Sequence, residues 1–129
     1  MQSPQLQIFN KVFDYLQGLG VTVITRKEMM DEIPYPFFVV SYANEQNKSV
    51  YTFDSFNGKF NIKVDLFSLG DDYGKHDYLL RIANDYLSNF NDLDEYTLKL
   101  NDLTNETLTE NTTNQALLHS VLITEYDAY

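Results

Sequence analysis

The sequence predicts an α+β fold: a mostly antiparallel β-sheet with two helices packed on it. Two observations carry this. Apolar residues recur at three- and four-residue spacing near the N-terminus and again around residues 79–90, as on the buried face of a helix. Between and after them lie several strand-like segments, the clearest being Phe60, Ile62, Val64 and Leu66 alternating with Asn61, Lys63 and Asp65. Neighbouring strands with a helix on either side point to a sheet covered by helices, in one domain spanning residues 1–129.

Ser3-Pro4 reads as a helix start, with serine as cap and proline at the first helical position. Leu6, Phe9, Val12, Phe13 and Leu16 form its apolar face, and Gly18 and Gly20 end it. Val21 to Thr25 is a short β-branched strand. The charged segment from Arg26 to Glu32 reads as a loop. In IPYPFFVVSY, Pro34 and Pro36 push Ile33 and Tyr35 towards extended geometry. Pro36 lacks a ladder donor, so the strand begins after it, over Phe37 to Ala43. Val50 to Phe56 reads as an edge strand, Asn57-Gly58 as a tight hairpin turn, and Lys59 to Leu69 as the next strand.

Gly70 stops that strand, and Asp71 or Asp72 caps a second helix with Leu79, Ile82, Ala83, Tyr86, Leu87 and Phe90 on its apolar side. Tyr96 to Leu100 is a strand, and Leu117 to Tyr126 is the last. Between them, residues 104–114 are nearly all Thr, Asn and Glu. That composition predicts a flexible polar loop or partner-binding arm, with Thr104, Asn105, Thr107, Thr109, Asn111 and Thr112 as its contact residues.

The 129 residues carry a formal net charge of -10, which repels a phosphate backbone and disfavours ordinary nucleic-acid binding. With no cysteine, thiolate chemistry, disulfides and cysteine-zinc sites are excluded. No apolar run approaches membrane-span length and no secretory signal pattern opens the chain, so a soluble protein made in the cytoplasm is expected. Asp71, Asp72, His76 and Asp77 are the densest polar cluster. Their spacing fits neither the calcium loop nor the zinc-helix motif, and helix capping explains them. His76 and His119, the two histidines, sit in no nucleophile context and are expected at the surface. No catalytic, cofactor-binding or metal residues are therefore assigned, and no cofactor is expected. The 10 Tyr and 9 Phe exceed what so small a core absorbs. Tyr35, Tyr42, Tyr51, Phe53, Phe56 and Phe67 are accordingly the expected subunit-interface residues.

YPFFVV at Tyr35–Val40 resembles the "YP-then-strand" element of tail-terminator (tail-completion) proteins of long non-contractile-tailed bacteriophages, of the type found in phages of Gram-positive bacteria. KVDLFS at Lys63–Ser68, followed by a helix containing LLRIANDYL, resembles their central strand and second helix. The family pattern has an aromatic residue, often Trp, near the end of the central strand, where Phe67 stands here. The resemblance implies a virion structural protein without enzymatic activity. It would form a homo-oligomeric ring, usually a hexamer, that caps the head-proximal end of the tail tube. Its implied partners are itself, the major tail tube protein and the head–tail connector protein, with DNA passing through without specific binding. A head–tail connector or stopper protein, or a ferredoxin-like ligand-binding module, are the alternatives.

Overall fold

The structure, a computed structural model, describes residues 4–25, 33–42, 48–51, 56–93, 96–111 and 116–128. Its elements are α1 (Pro4–Gln17), β1 (Thr22–Thr25), β2 (Phe37–Ser41), β3 (Lys48–Tyr51), β4 (Phe56–Leu69), α2 (Tyr73–Asn89), β5 (Asp92–Leu93), β6 (Tyr96–Asn111) and β7 (Ala116–Ala128). The seven strands form one sheet in the order β1-β2-β4-β7-β6-β5, with β3 paired to β4 off that path. β1 and β2 pair in parallel, and the other pairs are antiparallel. The α+β architecture read from the sequence is the one observed.

Both helices lie on one face of the sheet. Ile8, Val12 and Leu16 of α1 and Leu79, Ala83 and Leu87 of α2 share a core with Phe38, Val40, Phe60, Ile62, Val64, Leu66, Leu122 and Tyr126. Side chains of this size contribute roughly 1.5–3 kcal/mol each when fully buried, so this layer dominates the stability. The buried stripe of α1 is centred on Ile8 rather than Leu6, which is 40% exposed. Gln5 is buried beside it, and its Nε2 donates to the Asn61 carbonyl at 2.8 Å. Gly20, at φ 83, supplies the left-handed residue that turns the chain from α1 into β1.

The opposite face carries a second, smaller cluster of Ile24, Phe37, Val39 and Phe67, with Ile33 and Tyr35 packed against it. β2 is therefore buried on both sides, and all of Phe37, Phe38, Val39 and Val40 are below 10% exposed. A strand covered on both faces needs apolar residues at every position, not every second one. That accounts for the unbroken FFVV, which the cis Tyr35–Pro36 bond precedes.

Two local expectations are corrected. Asn57-Gly58 is not the hairpin turn: both residues are within β4, opposite Val50 and Ser49. Asp72 occupies the N-cap position of α2 but makes no side-chain cap bond, and only its carbonyl joins the helix by accepting from the His76 N–H. Tyr126 is fully buried, and its hydroxyl donates to the Leu87 carbonyl at 2.5 Å. Low-dielectric surroundings push its phenol well above the ordinary tyrosine range.

Candidate assembly surface

The most distinctive surface is built by β6. Residues 104–111, expected to form a flexible loop or arm, are a regular strand, each paired in register with β7 from Thr104↔Ile123 to Asn111↔Ala116. Composition misled here because an outer strand need not bury its own side chains. β7 supplies the buried residues and satisfies one side of the β6 ladder, and the β-branched threonines suit a half-wet pleat. Thr104, Asn105, Thr107 and Thr109 are exposed, as is Asn111, whereas Thr112 lies outside the described residues. A register shift between Leu100 and Asp102 lets the strand re-aim midway.

On its far side, β6 is paired by β5 at Tyr96 and Thr97, and the Leu98 N–H donates to the Asn91 carbonyl at 3.0 Å. From Lys99 to Asn111 its one strand neighbour among the described residues is β7, so on the other side it presents a long row of backbone N–H and C=O groups with no ladder partner among those residues. The face of this strand turned away from the helices carries Glu106, Leu108 and Glu110, opposite Val121, His119 and Leu117. Leu108 and Ile123, 44% and 38% exposed, are apolar points on that face.

His119 anchors the same face. Its Nε2 lies 2.8 Å from Asp65 Oδ1 on β4 and its Nδ1 2.8 Å from Glu110 Oε1 on β6. The ring also stacks on Phe67, with centroids 4.1 Å apart and an interplanar angle of 16°. The hydrogen bond to Asp65 raises the imidazole pKa above its usual value, aided by Glu110 and opposed by burial. When protonated, this imidazole can donate to both carboxylates and so tie β4, β7 and β6 together.

His76, expected at the surface, is buried on the side of α2 that faces the sheet. Its Nδ1 is 2.7 Å from Ser68 Oγ and its Nε2 2.7 Å from Ser120 Oγ, which in turn lies 2.7 Å from Thr107 Oγ1. Burial lowers its pKa, the charges of Asp77 and Asp72 oppose that, and His119 adds to the lowering. Both nitrogens of each histidine are thus engaged: by two carboxylates in His119, by two buried hydroxyls in His76. The arrangement holds secondary structure together. Among the described residues no three His, Asp or Glu side chains converge as metal ligands, and no helix is long and apolar enough to cross a membrane.

The expected interface aromatics do not gather into one site. Phe67 is buried between Phe37 and His119, and Tyr35 is half-buried against the same cluster. Tyr42 packs on the opposite face, with its ring 5.5 Å from that of Phe9. An aromatic count does not distinguish one apolar layer from two, and the second layer absorbs Phe67 and Tyr35. Tyr51 and Phe56 belong to β3 and β4, their side chains lying outside the described residues together with Phe53. Tyr73 and Tyr78 on α2 are exposed aromatics, at 66% and 62%.

No family model and no curated protein matches the chain. Solved structures do match in fold. One, a protein whose name states no function, superposes over 96% of this chain and 92% of its own with a TM-score of 0.56 at 12% identity. The likeness extends to the fold alone.

Proposed function

We propose that the chain is a phage virion structural protein that caps the head-proximal end of the tail tube as a ring, ends tube polymerisation and joins the tail to the head connector. The observation that carries this reading is the edge of β6 from Lys99 to Asn111, open among the described residues, at one end of a sheet whose other end is β1. Two different edges left open among the described residues of one sheet suit a head-to-tail contact between copies, the kind of interface that closes into rings. β6–β6 self-pairing is disfavoured, because it would bring the acidic residues Asp102, Glu106 and Glu110 together. The YPFFVV and KVDLFS segments support the same family, and a net charge of -10 suits a passage through which DNA slides without adhering. On this reading the partners are further copies of the chain, the tube protein and the connector, and the protein's place is the virion.

Electron microscopy and light scattering of the purified chain, alone and mixed with isolated tail tubes, test the proposal. Rings, free or at one end of each tube, are the expected result. A strict monomer that leaves tube ends bare and tube length unchanged refutes it.

A further inference from the structure

A second surface lies where the C-terminal ends of the two helices meet. Tyr15, in the last turn of α1, stacks on Tyr86, in the last turn of α2, with centroids 3.8 Å apart and planes 5° from parallel. Phe90 continues the stack 5.5 Å from Tyr86. An open cleft of about 350 Å³ runs beside these rings, lined by Tyr15, Asp85, Tyr86, Asn89, Phe90 and Asn91. Tyr15 is 38% exposed, so part of the stack is available to solvent.

The electrostatics of this cleft are one-sided. Helix C-termini carry partial negative charge, and neither α1 nor α2 has a basic residue in its last turn to offset it. Asp14 and Asp85 add two carboxylates, and among the described residues neither has an ion-pair partner, although Arg81 stands one turn before Asp85. The Tyr86 phenol registers this field: burial raises its pKa first, then Tyr15 and Asp14 raise it further. Aromatic rings, two unpaired carboxylates and two helix C-termini all favour a cation. A flat cleft beside stacked rings favours a planar one, which can lie against a ring while its N–H groups reach a carboxylate.

We infer that this cleft receives an arginine side chain of a partner protein, the guanidinium lying against the Tyr15–Tyr86 stack and pairing with Asp85. The inference stands independently of ring formation, because it uses neither sheet edge.

Three small probes test it on the isotopically labelled full chain by NMR: N-acetyl-arginine amide, N-acetyl-lysine amide and N-acetyl-citrulline amide, the last a neutral isostere of arginine. The expected result is saturable shifts confined to Tyr15, Asp85, Tyr86, Asn89 and Asn91, with arginine binding more tightly than lysine and citrulline giving none. Asp85→Asn should weaken arginine binding roughly 2–5-fold. Tyr15→Leu should remove the preference for arginine over lysine. Equal shifts from citrulline, lysine binding as tight as arginine, no localised shifts, or unchanged affinity in both variants would each overturn the assignment.

Discussion

His119 Nε2 and Asp65 Oδ1 lie 2.8 Å apart across the β4–β7 ladder, although 54 residues separate them in sequence. The other imidazole nitrogen faces Glu110 at the same distance. A neutral imidazole has one N–H and can donate to one of these carboxylates. The other would then face a nitrogen lone pair. Only the protonated ring satisfies both, so the charge state of His119 governs how firmly β6 is held to the sheet on this face.

The two histidines should give the fold a stability maximum near pH 6.5, their ordinary value. His119 has its pKa raised in the folded state, so its contribution is fully present below about pH 6.5 and is lost as pH rises through the folded value. His76 has its pKa lowered, so its contribution is present above about pH 6.5 and is lost as pH falls through the folded value. Urea unfolding from pH 5 to 9 should therefore rise and then fall. His119→Asn should flatten the alkaline limb and His76→Asn the acidic one. A monotonic profile across this window would contradict the opposed shifts.

Asp65 should matter more to His119 than Glu110 does. The Asp65 carboxylate has a side-chain exposure of 9%, against 44% for Glu110, and its hydrogen bond is the leading cause of the raised pKa. NMR titration of the His119 ring should show a larger fall for Asp65→Asn than for Glu110→Gln. Equal or reversed effects would place the dominant charge elsewhere.

Tyr126→Phe removes the hydroxyl that satisfies the Leu87 carbonyl near the end of α2. The ring volume is kept, so the cost isolates one hydrogen bond and leaves a buried acceptor unpaired, about 1–3 kcal/mol. Equilibrium denaturation should show that loss, and a change within measurement error would mean that water replaces the phenol.

Gly70 donates its N–H to the Ala116 carbonyl at 2.8 Å, extending the β4–β7 pairing by one residue. A Cβ added there would sit 2.8 Å from that same oxygen and 3.0 Å from the Ala116 side chain. Gly70→Ala should cost roughly 1–3 kcal/mol through this overlap. Gly74→Ala, where an added Cβ meets nothing within 4 Å, is the matched control and should not destabilise. Equal stability of the two variants would argue against the close approach.

The periodicities were legible: both helices, the alternation of Phe60 to Leu66 and the last strand follow from spacing. Long-range pairing was not. Counting by twos from Leu118 through Ser120, Leu122, Thr124 and Tyr126 puts His119 on the other face, and the β4 alternation puts Asp65 there too. Nothing local says that β4 and β7 are neighbours in the register that joins them. Phe67 and Tyr35 were read as interface residues because the second apolar layer, visible only once β1, β2 and β4 are adjacent, was not foreseen. The Thr- and Asn-rich composition of residues 104–111 describes a solvent-facing strand as well as a loop, because side-chain polarity does not report whether the backbone is paired.

Amide hydrogen exchange along β6 tests the central claim, that this strand's outer edge is where copies join. In the free chain, the amides from Lys99 to Asn111 that point away from β7 should exchange rapidly, while those bonded to β7 are slow. In the assembled particle the outward set should become protected, with little change in α2. Outward amides that exchange equally fast before and after assembly would contradict the account.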